Sequence, residues 1–344
     1  MRVAVLGGGR SSEHEVSLNS AAAVSEGLHK AGHEVVEIRI ERGGEWTLNG
    51  GPVSVIPGGG LAGRRAGSPA GGDPGSDLGV EVVFPVLHGP FGEDGVTQGT
   101  LDTAGIAYVG SDVLGSAVCM DKLTLKALCG FHGVPQVDFV QALTPGWKER
   151  AAQLEYPLWV KPSRLGSSVG ITRVDRPAPG SGDQDGLDEA VAAAAAHDPR
   201  VIIEANSPGR EVECSLLGNE DPETSLPGEI LADAEWYDFE AKYTDGRMNL
   251  VVPAPIGEDR VAELRQMAAA VFRLAGCSGL ARCDFFVEED GQVLLNEINT
   301  IPGFTATSVY SKLWEASGLA YPELCDRLVK LALERRQAES GHTF

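Results

Sequence analysis

Three α/β and α+β units meeting around a central cleft form the architecture that this sequence predicts. Three observations carry the prediction. Strands and helices alternate over the first third, the pattern changes near residue 119, and residues 284–304, DFFVEEDGQVLLNEINTIPGF, read as two strands with oxygen ligands at their far ends. At 344 residues the chain is long enough for two or three domains and a sizeable core.

In the first third, residues 3–6 form a short buried strand ending in a Gly-rich turn. Residues 16–30 form an amphipathic helix closed by Gly32, and residues 34–40 a second strand. The nearly continuous apolar run 80–87 suits a buried parallel strand, so this part is an open α/β sheet. Residues 57–79 are about half Gly and Pro and read as a mobile surface loop or a disordered insertion, with 58–77 expected to be dispensable. From about 119 follow helix 121–130, strands 135–140, 157–161 and 169–174, an Ala-rich helix 187–197 and strand 200–204. Within this unit, 175–186 looks like a hairpin extension. The last portion carries strands 211–217, 226–232, 279–287 and 292–298, helix 258–275, and helices after Thr305.

The net charge of −21 argues against nucleic acid or an anionic membrane as partner, although a few local Lys and Arg can still dominate a phosphate pocket. The six Cys show no metal-ligand spacing and sit among apolar neighbours, which fits reduced thiols in a cytosolic protein. The start, MRVAVLGGG, has no signal-type pattern, and no apolar run approaches the ~20 residues needed to span a bilayer.

The run 284–304 is the most informative. A turn at Asp290-Gly291 would bring the far ends of two antiparallel strands together. Glu297 and Asn299, two apart, project from one strand face, and with Asp284 they form a set of hard oxygen donors. A lone Glu-x-Asn would be a solvated strand end. Here the flanking Val293, Leu294, Leu295 and Ile298 are apolar, and unpaired carboxylates in such a sheet are costly, which favours Mg²⁺ held between carboxylates and substrate phosphates.

Other stretches are weaker alone. In GGGRSSEHEVS, 7–17, a dinucleotide fingerprint fails because residue 12 is Ser; Glu15 could meet an amine or simply cap a helix. His88 ends the buried strand before a Gly-dense loop, where a structural hydrogen-bonding role competes with a catalytic one. WVKPSRLGSSVG, 159–170, sets Lys161 before small residues that can present N–H groups to phosphate, without Walker A spacing; a hairpin tip is the alternative. Lys122 and Lys242 are further phosphate candidates.

Together and in this order, these stretches resemble the D-alanine–D-alanine ligases of the ATP-grasp superfamily, from Met1 to about Lys330. HGPFGEDGVTQG (88–99) and ARCDFFVEEDGQVLLNEINTIPGFTATS (281–308) look like that family's two signatures, and GRSSEHEVS, MDKL, KPSRLGSSVG and EAKY match independently. The resemblance implies an ATP-grasp fold, α/β and α+β, preceded by an open α/β domain. Its units would be 1–118, 119–206 and 207–344, with ATP clamped between the last two.

It also implies roles. Lys122 and Lys161 would hold ATP phosphates and Lys242 the γ-phosphate, with Ser168 and Phe286 also at the nucleotide. Glu204, Ala205 and Asn206 would meet the adenine and Glu211 the ribose. Asp284, Glu297 and Asn299 would carry two Mg²⁺ (or Mn²⁺) ions. Glu15 would bind the ammonium of the first D-alanine, with His88 nearby and with Ser167 and Tyr243 linked to it. Arg282 and the Gly303 N–H would stabilise the oxyanion, and Ser308 would hold the carboxylate of the second D-alanine. A cytoplasmic homodimer without nucleic-acid or membrane partners is implied as well.

Such chemistry is coherent, because a carboxylate becomes a competent acyl donor only as an acylphosphate, whose charge Mg²⁺ and lysines offset. Loops 163–170 and 238–248 would exclude water. The nearest rival is a D-alanine–D-lactate ligase, against which Tyr243 argues, since those relatives carry a His there. A nucleotide-dependent oxidoreductase and a non-catalytic ATP-binding module fit less well.

Overall fold

The computed structural model describes the chain apart from residues 66, 68–74, 177–184, 233–247 and 342–344. The first sheet contains β1 (Arg2–Gly8), β2 (Glu34–Ile40), β3 (Trp46–Leu48), β4 (Gly51–Ile56), β5 (Gly60–Gly63), β6 (Ser76–Asp77), β7 (Val82–Pro85) and β8 (Ala107–Tyr108). Their order is β6-β5-β4-β3-β2-β1-β7-β8. Strands β2, β1, β7 and β8 run parallel, as continuous apolar runs with helical crossovers do; α1 (His14–Lys30) and α2 (Val96–Ala104) supply crossovers.

The antiparallel extension β3–β6 corrects the reading of 57–79 as a loop. Leu61 is 1% exposed and shares a core with Ile38, Val83 and Tyr108, and Leu78 N donates to Leu61 O at 2.9 Å. A short Leu-Ala pair between glycines suffices because β4 supplies the backbone partners across Ser54–Ala62 and Val55–Leu61. Residues 60–63 and 76–77 of that stretch thus belong to the sheet, with Leu61 in its core.

Next come α3 (Val113–Met120) and α4 (Lys122–Phe131). The Asp121 side chain caps α4 by accepting from Thr124 N, and it also accepts from Ser163 Oγ at 2.7 Å, tying the helix to the second sheet. That antiparallel sheet has the order β11-β10-β12-β9, from β9 (Phe139–Gln141), β10 (Leu158–Pro162), β11 (Thr172–Val174) and β12 (Val201–Ala205). It is flanked by α5 (Trp147–Ala151) and α6 (Asp185–Ala195). The proposed hairpin 175–186 falls largely outside the described residues.

The third sheet has β13 (Arg210–Gly218), β14 (Glu223–Thr224), β15 (Gly228–Ala232), β16 (Met248–Val251), β17 (Gly279–Val287) and β18 (Val293–Asn299). Its path is β16-β15-β13-β17-β18, with β14 against β13. Helix α7 (Glu258–Leu274) covers one face through Leu264, Ala268, Val271 and Phe272. After α8 (Val309–Ala316), the last helix α9 (Tyr321–Ser340) returns to the first unit. Its Leu324, Leu328 and Val329 share a core with Val3, Val24, Leu28 and Phe84, and Asp326 meets His33 at 3.0 Å. All six cysteines are buried free thiols, and no described helix is long and apolar enough to cross a membrane.

Candidate active site

A cavity of about 730 Å³ opens where the three sheets meet. Of the residues singled out from sequence, His88, Lys122, Lys161, Ser167, Ser168, Glu204, Ala205, Asn206, Glu211, Arg282, Asp284, Phe286, Glu297, Asn299, Gly303 and Ser308 line it. Lys242 and Tyr243 lie outside the described residues. Glu15 does not line it.

Its acidic wall is the β17–β18 hairpin, whose turn falls at Asp290-Gly291. Gly291 has φ 86°, and the Asp290 carboxylate accepts from Gln292 N at 2.9 Å. Asp284 pairs with Glu297 and Arg282 with Asn299, so all three oxygen donors project at one sheet end. The register shifts just beyond, Phe285 pairing with Leu295, which leaves Asn296 as the extra residue. That bulge reverses the alternation, so Leu295 and Ile298, three apart, both enter the core while Glu297 and Asn299 face the cavity.

Cations already compensate this wall. Arg282 donates to both Asp284 oxygens at 2.7 Å and approaches Glu213 at 2.9 Å, while Lys122 Nζ lies 3.2 Å from Glu297. Burial works against the Arg282 charge, but Asp284 and Glu213 outweigh it and hold its pKa well above the ordinary value. Two carboxylates and an amide oxygen at one sheet end are a donor set suited to a hard divalent cation. Among the described residues, no cluster of three or more His, Cys, Asp or Glu forms an alternative centre.

The opposite wall is built by α4 and the second sheet. Lys122 and Lys126, four apart, share one helix face. Leu158, Val160 and Pro162 of β10 are buried, whereas Trp159 and Lys161 turn to the cavity. Glu204 is opposite Trp159, so it reaches Lys161 on the diagonal at 2.5 Å, and it meets Lys126 at 2.8 Å from above. Burial would raise the Glu204 pKa, but the two ammonium groups win and hold it far below the carboxylate range. The loop that follows is closed by Lys122 Nζ donating to Leu165 O at 3.0 Å, with Ser167 and Ser168 both at positive φ (51° and 59°).

The first unit contributes Glu13, which corrects the assignment of Glu15. The Glu15 side chain is 70% exposed and pairs with Arg42 at 2.8 Å, whereas Glu13 is 5% exposed, lines the cavity and accepts from Ser167 Oγ. Helix α1 starts at His14, and residues two apart on a helix differ by roughly 200°, so the two carboxylates point oppositely. Glu13 also lies against Gly89, where a Cβ would come within 2.7 Å of its Oε2.

His88, 4% exposed, meets Ile301 O through Nδ1 at 3.0 Å and Ser20 Oγ through Nε2 at 3.1 Å. A carbonyl can only accept, so Nδ1 carries the proton and Nε2 accepts from the Ser20 hydroxyl. Burial lowers its pKa and keeps the ring neutral. Glu93, which sequence reasoning passed over, accepts from Gly89 N at 2.6 Å. Burial, and then Glu13, push its pKa well up.

Across the cavity, Gly303 packs near Ser308, whose Oγ accepts from Thr305 N at 3.0 Å at the start of α8. Glu211 and Phe286 are register partners on β13 and β17, and Asn206 Oδ1 accepts from Trp159 Nε1 at 3.0 Å.

Residues 2–111 match the family model of the D-ala D-ala ligase N-terminus, and 128–330 that of its C-terminus. The chain is 46% identical to the D-alanine–D-alanine ligase of Deinococcus radiodurans, over 97% of this chain and 99% of that protein. It is 42% identical to that of Solibacter usitatus, over 100% and 99%. Among solved structures, the D-alanine-D-alanine ligase from Coxiella burnetii superposes with a TM-score of 0.85 at 34% identity, covering 99% of this chain and 96% of that one. The VanG D-Ala:D-Ser ligase from Enterococcus faecalis does so with 0.83 at 34%, covering 96% and 99%. The sheets are thus an ATP-grasp fold with its preceding α/β domain, and the chain belongs to the D-alanine–D-alanine ligase family.

Proposed function

We propose that this chain joins two D-alanines into D-alanyl-D-alanine for peptidoglycan precursors, using ATP and releasing ADP and phosphate, as a cytoplasmic homodimer. The observation that carries the reading is the meeting, in one cavity, of an oxygen-donor wall, a lysine wall and the Glu13–Ser167 pair. The first D-alanine is read as lying with its ammonium on Glu13 and its carboxylate toward the lysines. One carboxylate oxygen attacks the γ-phosphorus, ADP leaves, and D-alanyl phosphate results. The amine of the second D-alanine, its carboxylate at Ser308, then attacks the carbonyl carbon. The C–N bond forms, the C–O bond to phosphate breaks, and the amine gives up its proton.

Arg282 and Gly303 N–H stand as oxyanion donors; losing one such donor typically costs about 10²–10³ in rate. Lys122 and Lys161 hold phosphate oxygens, Glu211 the ribose, and Ala205 and Asn206 the adenine side; Lys242, read as the γ-phosphate lysine, and Tyr243 lie outside the described residues. Asp284, Glu297 and Asn299 would hold Mg²⁺ or Mn²⁺, two ions, which when bound supply charge neutralisation on the transferring phosphoryl group. The test is phosphate release from ATP and Mg²⁺ with D-alanine alone, with L-alanine, and with D-alanine plus D-lactate or D-serine, products being resolved by mass. D-Alanyl-D-alanine with stoichiometric ADP is expected. AMP and pyrophosphate, or a predominant D-serine or D-lactate product, would overturn the reading.

A further inference from the structure

Lys126 is a lysine that none of these roles uses. It is 1% exposed, at the fifth position of α4, and its ammonium faces Glu204 at 2.8 Å and lies 5.6 Å from the centre of the Phe139 ring. A fully buried lysine is costly unless it is paired. Glu204, 3% exposed, has a second cation in Lys161, at 2.5 Å on its other oxygen. Two ammonium groups thus share one carboxylate, and they differ in access: the Lys161 side chain is 16% exposed and lines the cavity, whereas Lys126 is sealed behind Glu204.

We propose that Lys126 is a positioning residue for ATP: it is the permanent counter-ion of Glu204, and so releases Lys161 to the nucleotide phosphates. Resting on the ATP-dependent reading above, this gives each lysine a separate task. If Lys161 were the sole partner of Glu204, moving its ammonium to a phosphate would leave a buried carboxylate unpaired, and the phosphates would compete with Glu204 for one cation. With Lys126 in place the triad carries one surplus positive charge, and that charge is the one at the cavity surface.

Lys126→Met should therefore raise the KM for ATP about tenfold or more, one decade for each 1.4 kcal/mol of lost binding. It should leave both D-alanine KM values within about twofold. Lys126→Arg should restore ATP binding. Because Glu204 is itself read as meeting the adenine, Glu204→Gln sets its own baseline, and against it the double variant Lys126→Met/Glu204→Gln, which has neither buried charge, should change the KM for ATP by no more than about threefold. It also carries the test if the single variant fails to fold.

Three results would overturn the proposal: an unchanged KM for ATP in folded Lys126→Met, a parallel rise in the D-alanine KM values, or a rise in the KM for ATP as large when Lys126→Met is added to Glu204→Gln as when it is made in the unmodified enzyme. The last would mean that Lys126 acts on the nucleotide itself. Failure of the unmodified chain to turn over ATP with D-alanine would instead count against the functional reading.

Discussion

Glu13 and Glu15 sit two residues apart and provide a sharp comparison. Glu13→Gln removes a carboxylate that is 5% exposed, receives the Ser167 hydroxyl and is read as facing the ammonium of the first D-alanine. A hydrogen bond to a charged group contributes about 1.5–3 kcal/mol, and a close buried charge pair couples by at least about 1.5 kcal/mol. A loss of about 3 kcal/mol is a drop of roughly two decades in kcat/KM for the first D-alanine. Glu15→Gln removes a solvated partner of Arg42, and pairs of that kind contribute about 0–1 kcal/mol to stability and nothing to a cavity they do not face. Both variants would be assayed by coupled ADP release across a D-alanine titration, with melting curves alongside. The melting curves show whether each variant stays folded, so that a loss of rate is read against an intact protein. Loss of activity in Glu15→Gln with full activity in Glu13→Gln would refute this placement of the substrate.

Glu297→Gln should nearly abolish turnover at saturating Mg²⁺ while the protein stays folded, since a neutral amide binds Mg²⁺ poorly; retention of most activity would remove Glu297 from the metal set. Leu61→Ala should destabilise the first unit by about 2–5 kcal/mol, read from denaturant midpoints, and replacing 58–77 with a Gly/Ser linker should do at least as much; an unchanged midpoint would show that β5 adds nothing to the core. Glu93→Gln should stabilise increasingly as pH rises. The folded carboxyl holds its proton more tightly than the unfolded one, so the penalty is absent below about pH 4.3 and grows from there toward the raised folded pKa. Melting temperatures of both proteins from pH 4 to 8 should diverge upward, and a constant difference would contradict it.

Much of the fold is readable because buried strands and amphipathic helices announce themselves. The runs at 3–6, 34–40 and 279–298 were placed to within a residue or two of β1, β2, β17 and β18. What escaped was order stabilised by neighbours rather than by composition. Strand β5 is Gly-Leu-Ala-Gly and has no periodicity of its own; its backbone partners on β4 and the pocket that takes Leu61 fix it. Helices after Thr305 are legible in the sequence, but only the tertiary structure shows the last of them, 321–340, buried against α1 and the first sheet.

The placement of the ammonium on Glu15 comes with the family resemblance, and the residues of α1 themselves distinguish Glu13 from it. Val16 and Leu18, apolar residues near the start of α1, are only half-buried. Its buried face is instead marked by Ser17, Ser20, Val24 and Leu28. Ser17 is buried because its hydroxyl accepts from Gly8 N and donates to Val86 O, bonds that allow a small polar residue close to the sheet. Running that face backward by four residues from Ser17 reaches Glu13, not Glu15. Lys126 yields to the same step, since it lies four residues after Lys122 on the same face of α4. In both places the decisive residues were charged or hydroxylic groups on a buried helix face, where hydrophobic periodicity is silent. The phase of the helix identifies them, because a buried charge needs a partner and its partners, Ser167 and Glu204, are themselves at the cavity.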